Sequence, residues 1–245
     1  VVSGTPATYP NEPAGYSAFA EHNLTALTTT ATAIQGNWGN TGGAYLATGT
    51  DAAAPQSPSG INDVTMYNGL AGGASAALFY IQDATGTTAR TKRYVSFQMK
   101  ITGADYENHS VITKIGLVGY GTNPAGSRNE GILCIQGSGV AAAMKMEFRQ
   151  QNNVARNMLQ NAELTAQVTA GSWHQIEMVN ELNSADGVAD GIARVWVNGV
   201  RVIDYTDVVY KTSGASLAFT GWKFDLIWGG TGGAKTRDDH IQFDH

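Results

Sequence analysis

The chain has 245 residues, of which 42% are hydrophobic and only 14% are charged, and its net charge is −5. Globular domains carry about 25% charged residues, so neutral polar groups must cover much of this surface. The acidic balance provides no basic stripe, so we expect no nucleic-acid partner. No run approaches the roughly 18 apolar residues of a transmembrane helix, so we expect no membrane span. The single cysteine, Cys134, excludes an intrachain disulfide, and its apolar neighbours favour a buried side chain.

The first sixty residues predict an irregular arm rather than a separate domain. They are rich in Thr, Ala, Gly, Asn and Pro, with turn dipeptides such as Tyr9-Pro10 and Gly42-Gly43. Nothing later in the chain is typical of a linker. We therefore expect a single domain over residues 1–245, with an extended, irregular N-terminal region at about 1–60. The scarcity of lysine and the abundance of Thr, Ser, Asn and Gly are typical of a secreted, extracellular β-protein.

Regular alternation begins near Arg93. Residues 94–101 alternate strictly and predict a half-buried strand. Its apolar face consists of Val95, Phe97, Met99 and Ile101. Residues 114–120 predict a second strand, and residues 132–136 are apolar on both faces, as expected of a central strand.

The second half of the chain continues this pattern. Residues 144–149 alternate, which places Lys145, Glu147 and Arg149 on the face opposite the methionines. Residues 173–178 predict another strand, and residues 239–244 predict the last one.

The strongest local signal is a hairpin between residues 193 and 205. Its strands flank Asn198-Gly199, and both residue types tolerate the positive φ of a type I′ turn. Many short strands and no convincing helix predict an all-β fold, an antiparallel sandwich or barrel.

The residues around this hairpin resemble a known pattern. Residues 171–177, 181–183 and 189–199 are similar to the G-x-W-H-x-I … L-N … D-G-x-x-R-V-W-V-N-G run of concanavalin A-like jelly-roll domains. Within that superfamily, the order of motifs is most similar to the polysaccharide lyases that cleave alginate or glucuronan. The motifs in question are Lys114-Ile115-Gly116, Glu147-Phe148-Arg149, the hairpin and Trp228-Gly229-Gly230. The resemblance covers about residues 93–245 and implies a concanavalin A-like jelly roll, an antiparallel β-sandwich.

The resemblance also implies a chemistry. Cleavage of a uronate polymer by β-elimination needs a group that neutralises the C6 carboxylate, a base for the C5 proton and an acid for the leaving oxygen. By carry-over, Lys114 is the candidate base and Arg149 the candidate carboxylate-neutralising group. Glu147 stands where the family has a small polar residue, and the family's tyrosine pair after this strand has no match in residues 152–158. Tyr106 and Tyr120 are the alternatives for that role.

Further residues are candidates for contacts with a sugar chain. Amide and charged groups hydrogen-bond hydroxyls and carboxylates, which selects Lys145, Glu147, Gln151 and Asn153. Trp222 and Trp228 flank the glycine-rich residues 229–233 and could stack on sugar rings. The alternative is a solvated sheet face for the charged residues and core packing for the tryptophans.

No cofactor is required by this reading. The five histidines lack zinc-ligand spacing. Concanavalin A-like sandwiches often carry a structural calcium near the last strand, and this resemblance implies Asp239 and Asp244 as candidate ligands.

Two functions remain open. The first is an extracellular domain that binds an acidic polysaccharide and, if it is an enzyme, cleaves it as a lyase. The second is a structural subunit of an extracellular filament, capsid or tail, which would self-associate through the N-terminal arm because edge strands accept an added strand. The position of the arm discriminates between them: an arm folded on its own sheet favours the first function.

Overall fold

The structure is a computed structural model that describes part of the chain in detail. The described residues are 10–15, 38–40, 46–49, 51–55, 61–66, 68–82, 90–102, 107, 113–122, 128–136, 143–151, 156–159, 168–212, 218–219, 221–229 and 233–244. Within these ranges the regular structure is entirely β-strand. No helix there is long and apolar enough to cross a membrane.

The strands are numbered in chain order. They are β1 (Trp38–Asn40), β2 (Leu46–Gly49), β3 (Ile61–Met66), β4 (Ser75–Gln82), β5 (Lys92–Ile101), β6 (Thr113–Thr122), β7 (Arg128–Gln136), β8 (Ala143–Gln151), β9 (Arg156–Leu159), β10 (Val168–Thr169), β11 (Trp173–Glu181), β12 (Gly191–Val197), β13 (Val200–Val208), β14 (Gly221–Trp228) and β15 (Asp239–Asp244).

The strands form two antiparallel sheets. One has eight strands in the order β1-β4-β14-β6-β7-β8-β10, with β9 also paired to β8. The other has seven strands in the order β13-β12-β11-β5-β15-β3-β2. The predicted antiparallel β-sandwich is confirmed.

The core lies between the two sheets. Alternation in β5 buries Phe97, Met99 and Ile101, as the sequence predicts. Across the interface, the ring of Phe97 packs edge-on against Phe224 of the eight-stranded sheet, with centroids 4.9 Å apart. Such apolar contact between two inner faces is the main force that holds a sandwich together.

The predicted Asn-Gly hairpin joins β12 to β13. Asn198 has φ 52° and Gly199 has φ 76°, as a type I′ turn requires. The Asn198 side chain also ties the turn to β11: its Oδ1 accepts the Gln175 N–H at 2.9 Å, and its amide nitrogen lies 3.0 Å from His174 Nδ1. Asn198 therefore fixes both the turn and its position on the sheet.

Two short strands lie within the predicted N-terminal arm. β1 pairs with β4 at one edge of the eight-stranded sheet, and β2 pairs with β3 at one edge of the seven-stranded sheet. The arm thus contributes a strand to each sheet.

Asn11, in the described segment 10–15, contacts Glu177 on the outer face of the seven-stranded sheet. Asn11 donates from its backbone N–H to Glu177 Oε1 at 3.1 Å and from its side-chain amide to Oε2 at 2.8 Å. Tyr94 donates its hydroxyl to the same carboxylate at 2.6 Å, and burial together with this bond raises the pKa of Tyr94. The fully buried carboxylate is therefore compensated by three donors.

A second contact fixes the arm near Asp51. Lys100 forms an ion pair with Asp51, and the Trp173 indole N–H donates to the same carboxylate at 3.1 Å. The hydrogen bond from Lys100 lowers the pKa of Asp51. Trp173, the first residue of β11, thus also anchors the arm.

We expect the double substitution Asn198→Ala with Gly199→Ala to destabilise the fold. Both alanines would occupy positive φ, and the two contacts of the Asn198 side chain would be lost, for a total of about 3 kcal/mol. Chemical denaturation measures this. Val200→Thr, at an exposed position beside the turn, is the control and should change stability little; an unchanged double variant would contradict the turn assignment.

We also expect His174 to make the fold acid-sensitive. Burial lowers the pKa of His174, so the unfolded chain takes up a proton at a higher pH than the folded chain. Stability should then fall as pH drops below about 6.5, by at most about 1.4 kcal/mol per pH unit from this group. Thermal melts from pH 8 to pH 5 test this against His174→Gln, whose curve should be flatter; parallel curves would rule out His174 as the cause.

Candidate functional site on the eight-stranded sheet

The outer face of the eight-stranded sheet carries a small apolar cluster of its own. In β7, Leu133 and Ile135 belong to the core between the sheets, whereas Ile132 and Cys134 form a second cluster with Leu117 of β6. We call Leu117, Ile132 and Cys134 the floor. Each floor residue is at most 3% exposed. The buried Cys134 and the two-sided burial of β7 both confirm the sequence prediction.

Lys114 and Arg149 lie on opposite sides of this floor. Lys114 is the register partner of Cys134, and Arg149 is the register partner of Ile132. Two strand spacings and two residues separate them, which corresponds to about 12 Å between their Cα atoms. Both are partly exposed. The structure therefore brings the two candidate catalytic residues together on one face.

Residues that are register partners on successive strands form lines across the sheet, and we call these register lines. Two of them pass through this site. The first joins Lys114 to Ile227 on one side and to Cys134 and Glu147 on the other. The second, two residues further along, passes through Arg149. Its members, in strand order, are Tyr80, Lys223, Leu117, Ile132, Arg149 and Asn157.

Tyr80 and Lys223 were not among the predicted site residues, yet their backbones share the line of Arg149. The signal for Lys223 was present, because it stands between Trp222 and Phe224, which are both buried in the core. A strand with aromatic residues at alternate positions predicts a polar residue between them on the other face. Tyr80 gave no such signal, since residues 75–82 show no clear alternation.

The remaining polar candidates of β8 stay predictions. Met146 and Phe148 are buried in the core, so positions 145, 147 and 149 belong to the opposite face of the strand. The side chains of Lys145, Glu147 and Gln151 lie outside the described residues, as do Asn153 and Tyr106 entirely. Tyr120 lies in β6, and its side chain is likewise not described.

Trp222 and Trp228 do not line a sugar site. They are 1% and 3% exposed and belong to the core between the sheets. Trp222 packs edge-on against Phe224 with centroids 5.6 Å apart, and the Trp228 indole N–H donates to Gly233 O at 3.1 Å. The glycine-rich segment beside them suggested access for a ligand, but alternation in β14 turns both rings inward. The prediction of sugar stacking is corrected to core packing.

Asp239 and Asp244 cannot hold one ion together. They stand at opposite ends of β15, about 17 Å apart along the strand, and an odd separation places them on opposite faces. Asp239 forms ion pairs with Lys235 and Arg237 instead. No group of three potential metal-ligating side chains occurs among the described residues. Calcium binding stays a prediction. Asp239 and Asp244 are too far apart to be its shared ligands.

Comparison with known proteins agrees with this architecture. The family model described as polysaccharide lyase 14 matches residues 138–245, which include β8, the hairpin and β15. The chain has the jelly-roll fold of the alginate and glucuronan lyases. The resemblance seen in the sequence is thereby confirmed. No curated protein matches the sequence significantly.

Three solved structures illustrate the likeness. Alginate lyase Aly36B superimposes with a TM-score of 0.61 at 15% identity, covering 91% of this chain and 92% of that one. The endo-β-1,4-glucuronan lyase of the fungus Trichoderma reesei gives 0.60 at 11% identity, covering 88% and 91%. Alginate lyase vAL-1 from Chlorella virus gives 0.57 at 14% identity, covering 81% and 87%.

We expect Trp222→Ala to reduce stability and not ligand affinity. Removal of a fully buried indole leaves a cavity and should cost about 3–5 kcal/mol. Denaturant melts measure the loss, and retention of the folded fraction on a polyuronate gel measures affinity. Lower retention at full folding would restore Trp222 as a binding residue.

Proposed function

We propose that this protein binds an acidic polysaccharide across the outer face of the eight-stranded sheet and cleaves it by β-elimination. The observation that carries the proposal is the placement of Lys114 and Arg149 on that face, on adjacent register lines beside the floor. The match of residues 138–245 to a polysaccharide lyase family supports it, as does the shared fold. One similar structure is of an Aly36B mutant in complex with an alginate trisaccharide.

The two basic residues would have separate roles. The Arg149 guanidinium would pair with the C6 carboxylate of a uronate, since it presents two parallel donors that match a carboxylate. This pairing acidifies the C5 proton and stabilises the enolate that forms. Lys114 would be the base that accepts the C5 proton.

The reaction is balanced without a co-reactant. The C5–H bond breaks and its proton goes to the base, a C4=C5 double bond forms, and the C4–O bond breaks towards the leaving sugar. The leaving oxygen then needs a proton. The tyrosine pair that supplies it in the family has no match here, so Tyr120, Tyr106 or the protonated base is our candidate donor.

The apolar floor suits a sugar chain better than a small anion. Its buried residues between the cations exclude water, which strengthens the attraction between a guanidinium and a carboxylate. The Cα atoms of Lys114 and Arg149 are about 12 Å apart. Their two long side chains can act on one sugar unit only if both extend towards a point between them. A uronate ring above the floor provides such a point.

Extracellular location and the absence of a required cofactor belong to the same proposal. The described arm contacts its own sheet through Asn11 and Glu177, the arrangement expected for glycan recognition rather than for exchange between copies. Self-association through the arm stays a prediction.

The test is the ultraviolet absorbance of the unsaturated product during incubation with alginate and with glucuronan. We expect absorbance to rise with the wild type, and Lys114→Ala or Arg149→Ala to slow it by about 10²–10³-fold. Lys92→Ala and Arg201→Ala are matched controls, because both side chains are exposed and lie in the seven-stranded sheet. They should retain wild-type rates.

Retention on an immobilised polyuronate separates binding from cleavage. A flat absorbance trace with retention that Arg149→Ala abolishes would mean a binding module. A flat trace without retention would overturn the proposal.

A further inference from the structure

One lysine is buried in a way that its residue type rarely allows. Among the basic side chains that the structure describes, Lys235 alone is fully buried, with 0% of its side chain exposed. It lies in the connection between β14 and β15, at one end of the sandwich. A buried ammonium without compensation would cost several kcal/mol, so its surroundings must provide that compensation.

The ammonium is enclosed by three oxygen atoms and one aromatic face. Its Nζ forms an ion pair with Asp239, donates to the Glu107 carbonyl oxygen at 3.2 Å, and lies 3.4 Å from Glu107 Oε2. Trp228 covers it with a ring centroid 4.6 Å away, a favourable cation–π distance. Three acceptors match the three N–H donors of an ammonium.

The two carboxylates accept hydrogen bonds from further donors. Glu107 N–H donates to Asp239 Oδ2 at 2.9 Å, and Thr236 N–H donates to Glu107 Oε2 at 2.8 Å. Although burial opposes ionisation, the bonds from Thr236 and the charge of Lys235 lower the pKa of Glu107. Arg237 contributes a second cation, with its Nε 3.7 Å from Asp239. Two positive and two negative groups therefore balance within the cluster.

The cluster joins three connections of the chain. Glu107 belongs to the connection between β5 and β6, and Lys235 and Asp239 belong to the one that ends in β15. The connection between β3 and β4 is bound by the main chain: Lys235 N–H donates to Leu70 O at 2.9 Å, and Gly69 N–H donates to Lys235 O at 2.8 Å. Removing the ammonium would leave the buried Asp239 carboxylate and the partly buried Glu107 carboxylate without this cation at the point where these segments meet.

We propose that Lys235 is an internal structural cation, which supplies from the chain itself the positive charge that a bound calcium would supply at this end of the fold. Asp239 Oδ2, Glu107 Oε2 and Glu107 O are hard oxygen ligands of the type that calcium prefers. The ammonium already bonds all three, however, so a metal ion would have to displace it and would face its charge. The residues present therefore fit an ammonium and do not fit calcium while Lys235 is in place.

The test is to convert the cluster into a metal site by Lys235→Ala. Terbium, a luminescent substitute for calcium, should bind the vacated oxygens and emit on excitation of the adjacent Trp228. We expect emission from Lys235→Ala, background emission from the wild type, and loss of the signal in the double variant with Asp239→Asn. Lys92→Ala, which removes an exposed lysine from an ion pair, is the matched control and should stay at background.

Thermal melts give an independent measurement. Lys235→Gln should lower Tm by roughly 10 °C, because it leaves buried charges uncompensated. Calcium and chelator should leave the wild-type Tm unchanged. Terbium emission from the wild type equal to that of Lys235→Ala would overturn the proposal, as would a dark Lys235→Ala. A rise of the wild-type Tm on addition of calcium, abolished by Asp239→Asn, would also overturn the proposal. This measurement does not depend on the lysine variants, so it remains informative if they fail to fold.

Discussion

The apolar contact between the two sheets constrains every strand in the molecule. Because side chains alternate along a strand, the residues that fill this core determine which positions face outward. In β8, burial of Met146 and Phe148 assigns Arg149 to the outer face. β7 adds a second requirement, since it is buried on both faces and so places the floor under the outer surface. Lys114 and Arg149 share a face because the core allows no other arrangement.

The two outer faces are used differently. On the seven-stranded sheet, Glu177 is completely buried beneath Asn11, and Asp51 is tied to Lys100 and Trp173. That face is therefore part of the packing between the arm and the body. The eight-stranded sheet carries its partly exposed cations beside an apolar floor. If the proposed ligand binds there, its carboxylates would meet groups of opposite charge beside an apolar surface.

Much of this fold could be predicted from the sequence, and the reasons are local. Strict alternation identifies β5 and β15, two-sided burial identifies β7, and Asn198-Gly199 identifies the hairpin because both residues must adopt positive φ. Register is not local. Nothing in the sequence shows that Lys223 and Arg149, which are 74 positions apart, share one line across the sheet. Trp222 and Trp228 were misassigned because a glycine-rich neighbour was weighted above the inward alternation of β14.

The burial of Lys235 could not be predicted from the sequence, for a different reason. A lysine in a polar connection is ordinarily exposed, so burial could be inferred only from acceptors that come from other segments, such as Glu107 and Asp239.

Lys235 and Lys114 lie near each other in the fold. Trp228, which covers Lys235, pairs with Thr113, and its neighbour Ile227 pairs with Lys114. The ammonium of Lys235 meets three oxygen acceptors, two of them from carboxylates that compensate its charge. Lys114 is partly exposed beside the floor. Two lysines that are close in the fold therefore differ in environment: Lys235 is enclosed by acceptors that other segments bring to it, whereas Lys114 stays partly exposed on the outer face of the sheet.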